Sequence, residues 1–353
     1  MGRHQLRFIQ DLRAAIRSLY SSIPGIQVGK KEKYIGWLAA GIAAILFYLS
    51  VRGINWGESL QTIKEGRYGY LPVLLIWASF SDIFRAVRWR ILLQADRRIK
   101  LPPVFWANMV GYFGNMTLPA RAGEALRSVY IGRELNMSTS FAFATCLVER
   151  VIDLIILVLI GSMAILSVGN VSPLLFDAIK AMALLGFLAL VFIILLPSVK
   201  GTVSNLVRKI SMPVKTQDLF LSFIESFSYG FSALRDRKRM FLFLGMSGII
   251  WLSDTLWYML AGFMFNIQMP LILAFGLVAM LGLSSAIPST PGYFGVHQFV
   301  AVIILTPFGF SQGSVVAYIT AVQVIYILQV SFWGVIGVLR FAKISNLPYQ
   351  SKG

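Results

Sequence analysis

Residues 103–127 read PVFWANMVGYFGNMTLPARAGEALR. Pro103 to Leu118 form a largely apolar run, which breaks at Pro119-Ala120-Arg121-Ala122-Gly123 before charge resumes at Glu124 and Arg127. A helix that crosses a bilayer needs roughly 20 mostly apolar residues, so this run is too short to cross. The turn that follows it carries an arginine. Non-helical backbone at membrane depth is tolerated only inside protein or beside a water-filled cavity. The spacing therefore predicts a re-entrant helical hairpin with its tip near Pro119–Gly123.

Composition places that hairpin in a membrane. Of 353 residues, 57% are hydrophobic and 13% charged, with a mean hydropathy of +0.73. Soluble domains carry about 25% charged residues. Lys and Arg number 32 against 15 Asp and Glu, a net charge of +17. A basic excess suggests nucleic acid when it lies on a wetted face; here it sits at the edges of apolar segments, and nucleic acid is excluded as a partner. One cysteine (Cys146) rules out a disulfide framework, and two histidines (His4, His297) rule out a His-rich metal site. No metal and no cofactor is expected.

Candidate spans run Tyr34–Val51, Leu71–Leu93, Phe141–Leu166, Ala181–Pro197, Met240–Phe265 and Ser314–Leu339. A second broken segment, Leu271–Ile287, leads into Pro288-Ser289-Thr290-Pro291-Gly292, with another apolar stretch at Tyr293–Pro307. That segment reads as a second hairpin or as two short spanning helices. The fold class is an all-α polytopic membrane protein of about 6–8 transmembrane helices with one or two re-entrant broken-helix hairpins.

Sorting the basic residues sets the orientation. Seven lie in the first 33 residues, eight in 200–239, six in 82–100, three in 121–133 and three after Leu339, against three in 52–67 and Lys180 alone in 167–180. Under the positive-inside rule both termini are cytoplasmic, in the cell inner membrane. Both the 82–100 and 121–133 clusters fall inside only if the hairpin returns on the side it entered. The domains are then a basic amphipathic N-terminus (1–33), one membrane domain (34–340) with a cytoplasmic amphipathic connection at 200–239, and a tail (341–353). Leu6, Ile9, Leu12, Ile16 and Leu19 near the N-terminus, and Phe220, Phe223, Ile224, Phe227, Phe231 and Leu234 in the connection, recur at helical spacing beside basic residues. Such faces suit an anionic leaflet. No signal-peptide core precedes Tyr34, so the first helix reads as a retained anchor.

A faint internal repeat is present. Ser81-Asp82 is echoed by Ser253-Asp254, and Pro119-x-x-x-Gly123 by Pro288-x-x-x-Gly292. With the two Asp-bearing helices crossing in opposite directions, this is the pattern of an inverted-topology repeat, common in transporters that bind near the midplane through discontinuous helices.

Ionised groups in lipid cost several kcal/mol, so those that persist usually face a partner or a water-filled cavity. Asp82 and Arg85 lie one turn apart; Arg121, Glu124 and Arg127 share a face if helical; Glu149, Arg150 and Asp153 lie together in one long helix; Asp254 stands alone in its own, between Trp251 and Trp257. Arg88 and Arg90 read as snorkelling to headgroups, and His297 as a hydrogen-bonded packing residue. A helix restarting after Gly123 turns a positive dipole end toward the break, which suits a phosphate, and Arg121 and Arg127 add planar donors. Glu124, Glu149 and Asp153 keep those arginines paired when the site is empty. Asp82, Asp254 and His297 are candidates for coupling.

Asn115-x-x-Leu118-Pro119-Ala120-Arg121-Ala122-Gly123-Glu124-x-x-Arg127, then Glu149-Arg150-x-x-Asp153, then Pro288-x-x-Pro291-Gly292-Tyr293-x-Gly295 resemble, in order and spacing, the lysylphosphatidylglycerol synthase transmembrane (flippase-like) family, which includes proteins of the UPF0104 type. The resemblance covers roughly residues 35–340. It implies a lipid-flipping role, as in the membrane half of the bacterial multiple peptide resistance factor, with stand-alone relatives tied to envelope glycolipid or polyprenyl-linked pathways. The chain reaches only Gly353, which leaves no room for the soluble aminoacyl-transferase domain of bifunctional members, so lysyl-lipid synthesis is not expected. Many relatives carry a glutamate after Gly295, where this sequence reads Val296-His297-Gln298.

The expected function is a non-enzymatic flippase or scramblase for an anionic phospholipid or polyprenyl-phosphate lipid. No P-loop pattern accompanies it, so nucleotide hydrolysis is not expected. Two alternatives are a membrane enzyme using Glu124, Glu149 or Asp153 as acid–base groups, and a partner subunit of an envelope-synthesis complex. Neither an Asp-rich metal-diphosphate motif nor a Ser/His nucleophile pair supports the enzyme.

Overall fold

A computed structural model of the chain describes residues 44–94, 98–117, 122–167, 236–285 and 291–345 continuously, with isolated positions elsewhere. The regular elements among the described residues are all helical: α1 (Trp56–Lys64), α2 (Leu71–Leu93), α3 (Leu101–Thr117), α4 (Gly123–Leu135), α5 (Thr139–Leu166), α6 (Arg237–Met264), α7 (Leu271–Ser284), α8 (Val296–Leu305) and α9 (Gln312–Ser345), with short 3-10 turns between some of them. Three helical segments, Tyr68–Leu93, Arg237–Met264 and Gln312–Lys343, are long and apolar enough to cross a bilayer. Helix α5 has 28 residues but carries Glu149, Arg150 and Asp153 near its middle. Half of the expected span at 34–51 and most of that at 181–197 lie outside the described residues, as do 1–33, 346–353 and much of 200–239. Of the connection's apolar face, Ile224 and Leu234 are buried against protein.

Local chemistry fixes the helix ends. Asn55 caps α1 by accepting from the Gly57 and Glu58 amides, and Asp236 caps α6 by accepting from those of Lys238 and Arg239. Helix α4 stops where Asn136 takes φ +49°, a left-handed conformation that asparagine tolerates better than most residues.

Helices α3 and α4, of 17 and 13 residues, pack directly on each other. At 1.5 Å per residue they are about 25 and 20 Å long, short of the roughly 30 Å hydrocarbon core. Glycine permits their contact. A Cβ on Gly123 would lie 1.9 Å from the Gly111 carbonyl oxygen, and one on Gly114 would lie 2.6 Å from Leu126. Asn115 Oδ1 accepts from the Gly123 amide at 2.9 Å, tying the two arms together beside the break. Helices α7 and α8, of 14 and 10 residues, form a second pair of the same design.

The halves α2–α5 and α6–α9 repeat one plan: a long helix, a pair of short ones, then a long helix. Their packing repeats as well. α5 lies against α7 as α9 lies against α3, α4 meets α5 as α8 meets α9, and α2 meets α3 as α6 meets α7. One interval of 172 positions relates the halves (82 to 254, 119 to 291, 123 to 295). The break motif Pro119-x-x-x-Gly123 thus corresponds to Pro291-x-x-x-Gly295, which corrects the alignment with Pro288 and Gly292. The two glycines fall in matching places, Gly123 opening α4 and Gly295 capping α8.

The repeat is inverted. Trp257 Nε1 donates to Leu74 O (2.9 Å), Trp77 Nε1 to Ser253 Oγ (2.9 Å) and Arg88 Nη1 to Ser247 Oγ (3.2 Å). Partner numbers fall along α6 as they rise along α2, so the helices are antiparallel. Antiparallel pairing and the constant interval coincide at one place, where Ser81-Asp82 faces Ser253-Asp254 and Ser81 Oγ donates to Asp254 Oδ1 at 3.0 Å. An approximate two-fold axis passes there.

Candidate functional site

A cavity of about 210 Å³ lies at that axis. Its walls come from both halves: Asp82 and Arg85 of α2, Tyr112 and Asn115 of α3, Arg150 of α5, Trp251 and Asp254 of α6, and the turn at Gly292 and Tyr293. The end of α3 and the turn before α8 therefore reach one polar space between the long helices.

Asp254, isolated in its own helix by sequence, has its partners on α2. It forms an ion pair with Arg85 and accepts from Ser81. Arg85 also lies 6.0 Å from the centroid of the Trp251 ring. Asp82 is buried and accepts from Gln329 Nε2 at 2.8 Å. So Asp82 and Arg85, adjacent turns of one helix, are held by partners from different elements.

Beneath the cavity, six charged side chains close a ring. Arg88 reaches Glu149 and Asp153, each at 2.5 Å; Arg127 reaches Glu149 at 3.0 Å and Glu124 at 2.7 Å; Arg150 reaches Glu124 at 3.0 Å and Asp153 at 3.7 Å. Signs alternate around it, so the ring is neutral. Arg88 and Arg127 are 1% exposed and Glu149 is fully buried, whereas Arg150 is 31% exposed and lines the cavity. Asn108 Oδ1 accepts from Arg127 at 3.1 Å, and the Arg127 guanidinium lies 4.6 Å from the Trp89 ring centroid. A charge at such depth is tolerable only when paired and hydrogen-bonded.

The ring unites Glu124, Arg127, Glu149, Arg150 and Asp153, all singled out by sequence. It adds Arg88, and here the expectation of a snorkelling headgroup contact is corrected: α5 and α6 enclose Arg88. Charge balance was the available signal, since Glu124, Glu149 and Asp153 outnumber Arg127 and Arg150 by one. Arg121, Pro119 and Pro288 lie outside the described residues.

The second break is built from amides. Gln298 Oε1 accepts from the Gly295 amide (2.7 Å) while its Nε2 donates to Gln323 Oε1 (2.6 Å) and Thr320 Oγ1 (3.1 Å), and Gln323 Nε2 donates to Gly292 O (2.9 Å). These contacts hold a turn in which Gly292, Tyr293 and Gly295 all have positive φ. Residue Pro291 opens that turn. His297, expected to be a hydrogen-bonded packing residue, instead stacks on Tyr293 with centroids 5.1 Å apart, and both of its ring nitrogens are buried without partners. Trp251 Nε1 is likewise buried and unpartnered. Both residues line the cavity. Sequence reading missed Gln298, Gln323 and Gln329; amide side chains inside otherwise apolar helices were their signal.

Among the described residues no group of His, Cys, Asp and Glu is arranged to hold a metal ion. Neighbouring cations and carboxylates instead line a space that also has apolar walls.

The family described as lysylphosphatidylglycerol synthase TM region matches residues 36–334. The chain is also similar to a UPF0104 membrane protein of Pyrococcus horikoshii, 28% identical over 169 residues, which is 47% of this chain and 48% of the relative. The chain thus spans about half the length of that curated relative. No solved structure matches it.

Proposed function

The chain belongs to the lysylphosphatidylglycerol synthase transmembrane-region family and is an integral multi-pass membrane protein, and on that premise we propose that it moves a phosphate-bearing lipid between leaflets without nucleotide hydrolysis. The observation that carries this reading is the polar cavity on the axis of an inverted repeat, lined by residues beside each helix break. Inverted repeats with midplane sites at discontinuous helices are a recurring plan of membrane transporters. Arg150, the most exposed member of the ring, and Arg85 would hold a headgroup phosphate by charge-assisted hydrogen bonds. The unpartnered Trp251 Nε1–H and one N–H of the neutral His297 ring supply further donors. Asp254 competes with phosphate for Arg85 and so favours release.

In this reading the two short-helix pairs are re-entrant hairpins, both termini are cytoplasmic, and the protein resides in the inner membrane. The test is transfer of fluorescent phosphatidylglycerol across proteoliposome bilayers, followed by quenching of the outer leaflet. Wild-type protein should accelerate transfer, and Arg150→Ala and Arg85→Ala should abolish it while still purifying as folded protein. A wild type indistinguishable from empty liposomes, with phosphatidylglycerol and with polyprenyl phosphate alike, would refute transport. Conversion of the lipid to a new product would indicate an enzyme instead.

A further inference from the structure

We infer that the outer groove between α2 and α9 binds the hydrocarbon chain of the same amphiphile whose headgroup occupies the central cavity, and that the headgroup passes between them at Ser79 and Gln329. This rests on the transport reading above and names the path it takes.

The groove has a volume of about 520 Å³. Ile76, Phe80, Leu328 and Phe332 form its walls, and each is more than half exposed on the outside of two candidate membrane spans. Its floor is different. Ser79, Gln329 and Trp333 bring polar atoms to an otherwise apolar surface, where a group facing only hydrocarbon would be costly. Trp333 Nε1 donates to Ser79 Oγ at 3.0 Å, and Gln329 Nε2 donates to Asp82 Oδ2 at 2.8 Å while lying 3.4 Å from Ser79 Oγ. Asp82 lines the central cavity and Gln329 lines the groove, so one hydrogen bond joins the two spaces. Gln329 Oε1 is buried with no partner, an acceptor open to a hydroxyl or ammonium donor in transit.

The neighbouring groove between α2 and α6 provides a contrast. It is also apolar, about 420 Å³, but Trp77 Nε1 donates to Ser253 Oγ across its floor. That bond links α2 to α6 directly. Both grooves lie on exposed apolar faces of candidate membrane spans; only the α2–α9 groove, of these two, has a floor residue bonded to a cavity-lining carboxylate.

The test uses full-length protein in phosphatidylcholine vesicles with trace fluorescent phosphatidylglycerol. Leu328→Cys places a thiol in the α2–α9 groove, and Leu252→Cys places one in the α2–α6 groove. The native Cys146 is buried, so labelling is confined to the introduced thiol. Each folded preparation is measured before and after reaction with a small methanethiosulfonate and with a pyrene maleimide. Pyrene at residue 328 should slow transfer at least tenfold relative to the same unlabelled preparation, with the small label slowing it less. Pyrene at residue 252 should change the rate less than twofold. Equal effects at both sites, no effect at 328, or block at 252 alone would each overturn the inference while leaving transport intact. Absence of transfer in unlabelled wild type would instead refute the transport reading, and the chain-binding role with it.

Discussion

Replacing Glu149 by leucine removes one carboxylate from a closed ring of three arginines and three acids, and leaves that ring with one excess positive charge. Breaking a buried ion pair costs about 3–5 kcal/mol when the partner is left behind. Arg88 keeps both oxygens of Asp153, at 2.5 and 2.9 Å, and Arg127 keeps Glu124 and Asn108. Neither arginine is stranded, so the loss should fall at the low end, about 3 kcal/mol. Arg127→Met leaves the opposite imbalance and should cost a similar amount. The double variant is the decisive one. Removing two adjacent members leaves Arg88, Asp153, Arg150 and Glu124 as a neutral chain in which every charge still touches an opposite one. Its cost should fall short of the sum of the singles by about 1–3 kcal/mol, the size of coupling seen between contacting residues. Reversible unfolding in mixed detergent micelles, read by tryptophan fluorescence, supplies all four corners of the cycle. Additivity within about 0.5 kcal/mol would refute the ring as an electrostatic unit.

Gly123→Ala should destabilise the first hairpin by about 3 kcal/mol or more, because backbone atoms leave no room for a methyl group. Gly245→Ala on α6 meets nothing within 4 Å and should be neutral or stabilising by up to about 1 kcal/mol; thermal unfolding of the two variants checks the contrast. Gln298→Leu should loosen the turn before α8 by about 1–3 kcal/mol, seen as faster hydrogen exchange of the first amides of α8, whereas Gln298→Glu keeps the acceptor for the Gly295 amide and should be milder. Asp254→Asn weakens the hold on Arg85, so in the transfer assay apparent KM and kcat for anionic lipid should fall together; a rise in KM would contradict the competing role of Asp254.

The first pair of short helices was legible because its signals are local: a run too short to cross and a Pro/Gly break. The repeat was half legible. Ser-Asp recurs unambiguously, but Pro288 and Pro291 are three apart and each is followed by a glycine at the right spacing, so only packing decides which of them matches Pro119. Arg88 was misread because linear distance places it five residues from the end of α2, where long side chains reach headgroups. Its burial depends on Glu149, Asp153 and Ser247 arriving from helices 61 to 159 positions away. The cavity was legible as a set of residue types; the turn before α8 and the hydrogen bond from Gln329 to Asp82 were not, because the glutamines that make them carry no charge to mark them.

Shape repeats between the halves, and Asp82 recurs as Asp254, but the charged ring does not repeat. At the positions equivalent to Arg88, Glu124, Arg127, Glu149, Arg150 and Asp153 stand Leu260, Val296, Phe299, Ala321, Val322 and Ile325. The fold tolerates this because helix length, glycine contacts and apolar packing set the shape, and none of them requires the ring. Its energetic consequence is unequal. The first hairpin is fastened to α2 and α5 through buried ion pairs, each of which costs several kcal/mol to break alone. The second is fastened to α9 through amide hydrogen bonds worth about 1 kcal/mol each. Any rearrangement that opens the cavity is therefore less costly through the α7–α8 pair, at the turn of Gly292, Tyr293 and Gly295. The cationic wall that would hold an anionic headgroup lies on the other side, where the ring keeps Arg150 in place. On the transport reading, physical cost would then assign binding and movement to opposite halves of one symmetric frame.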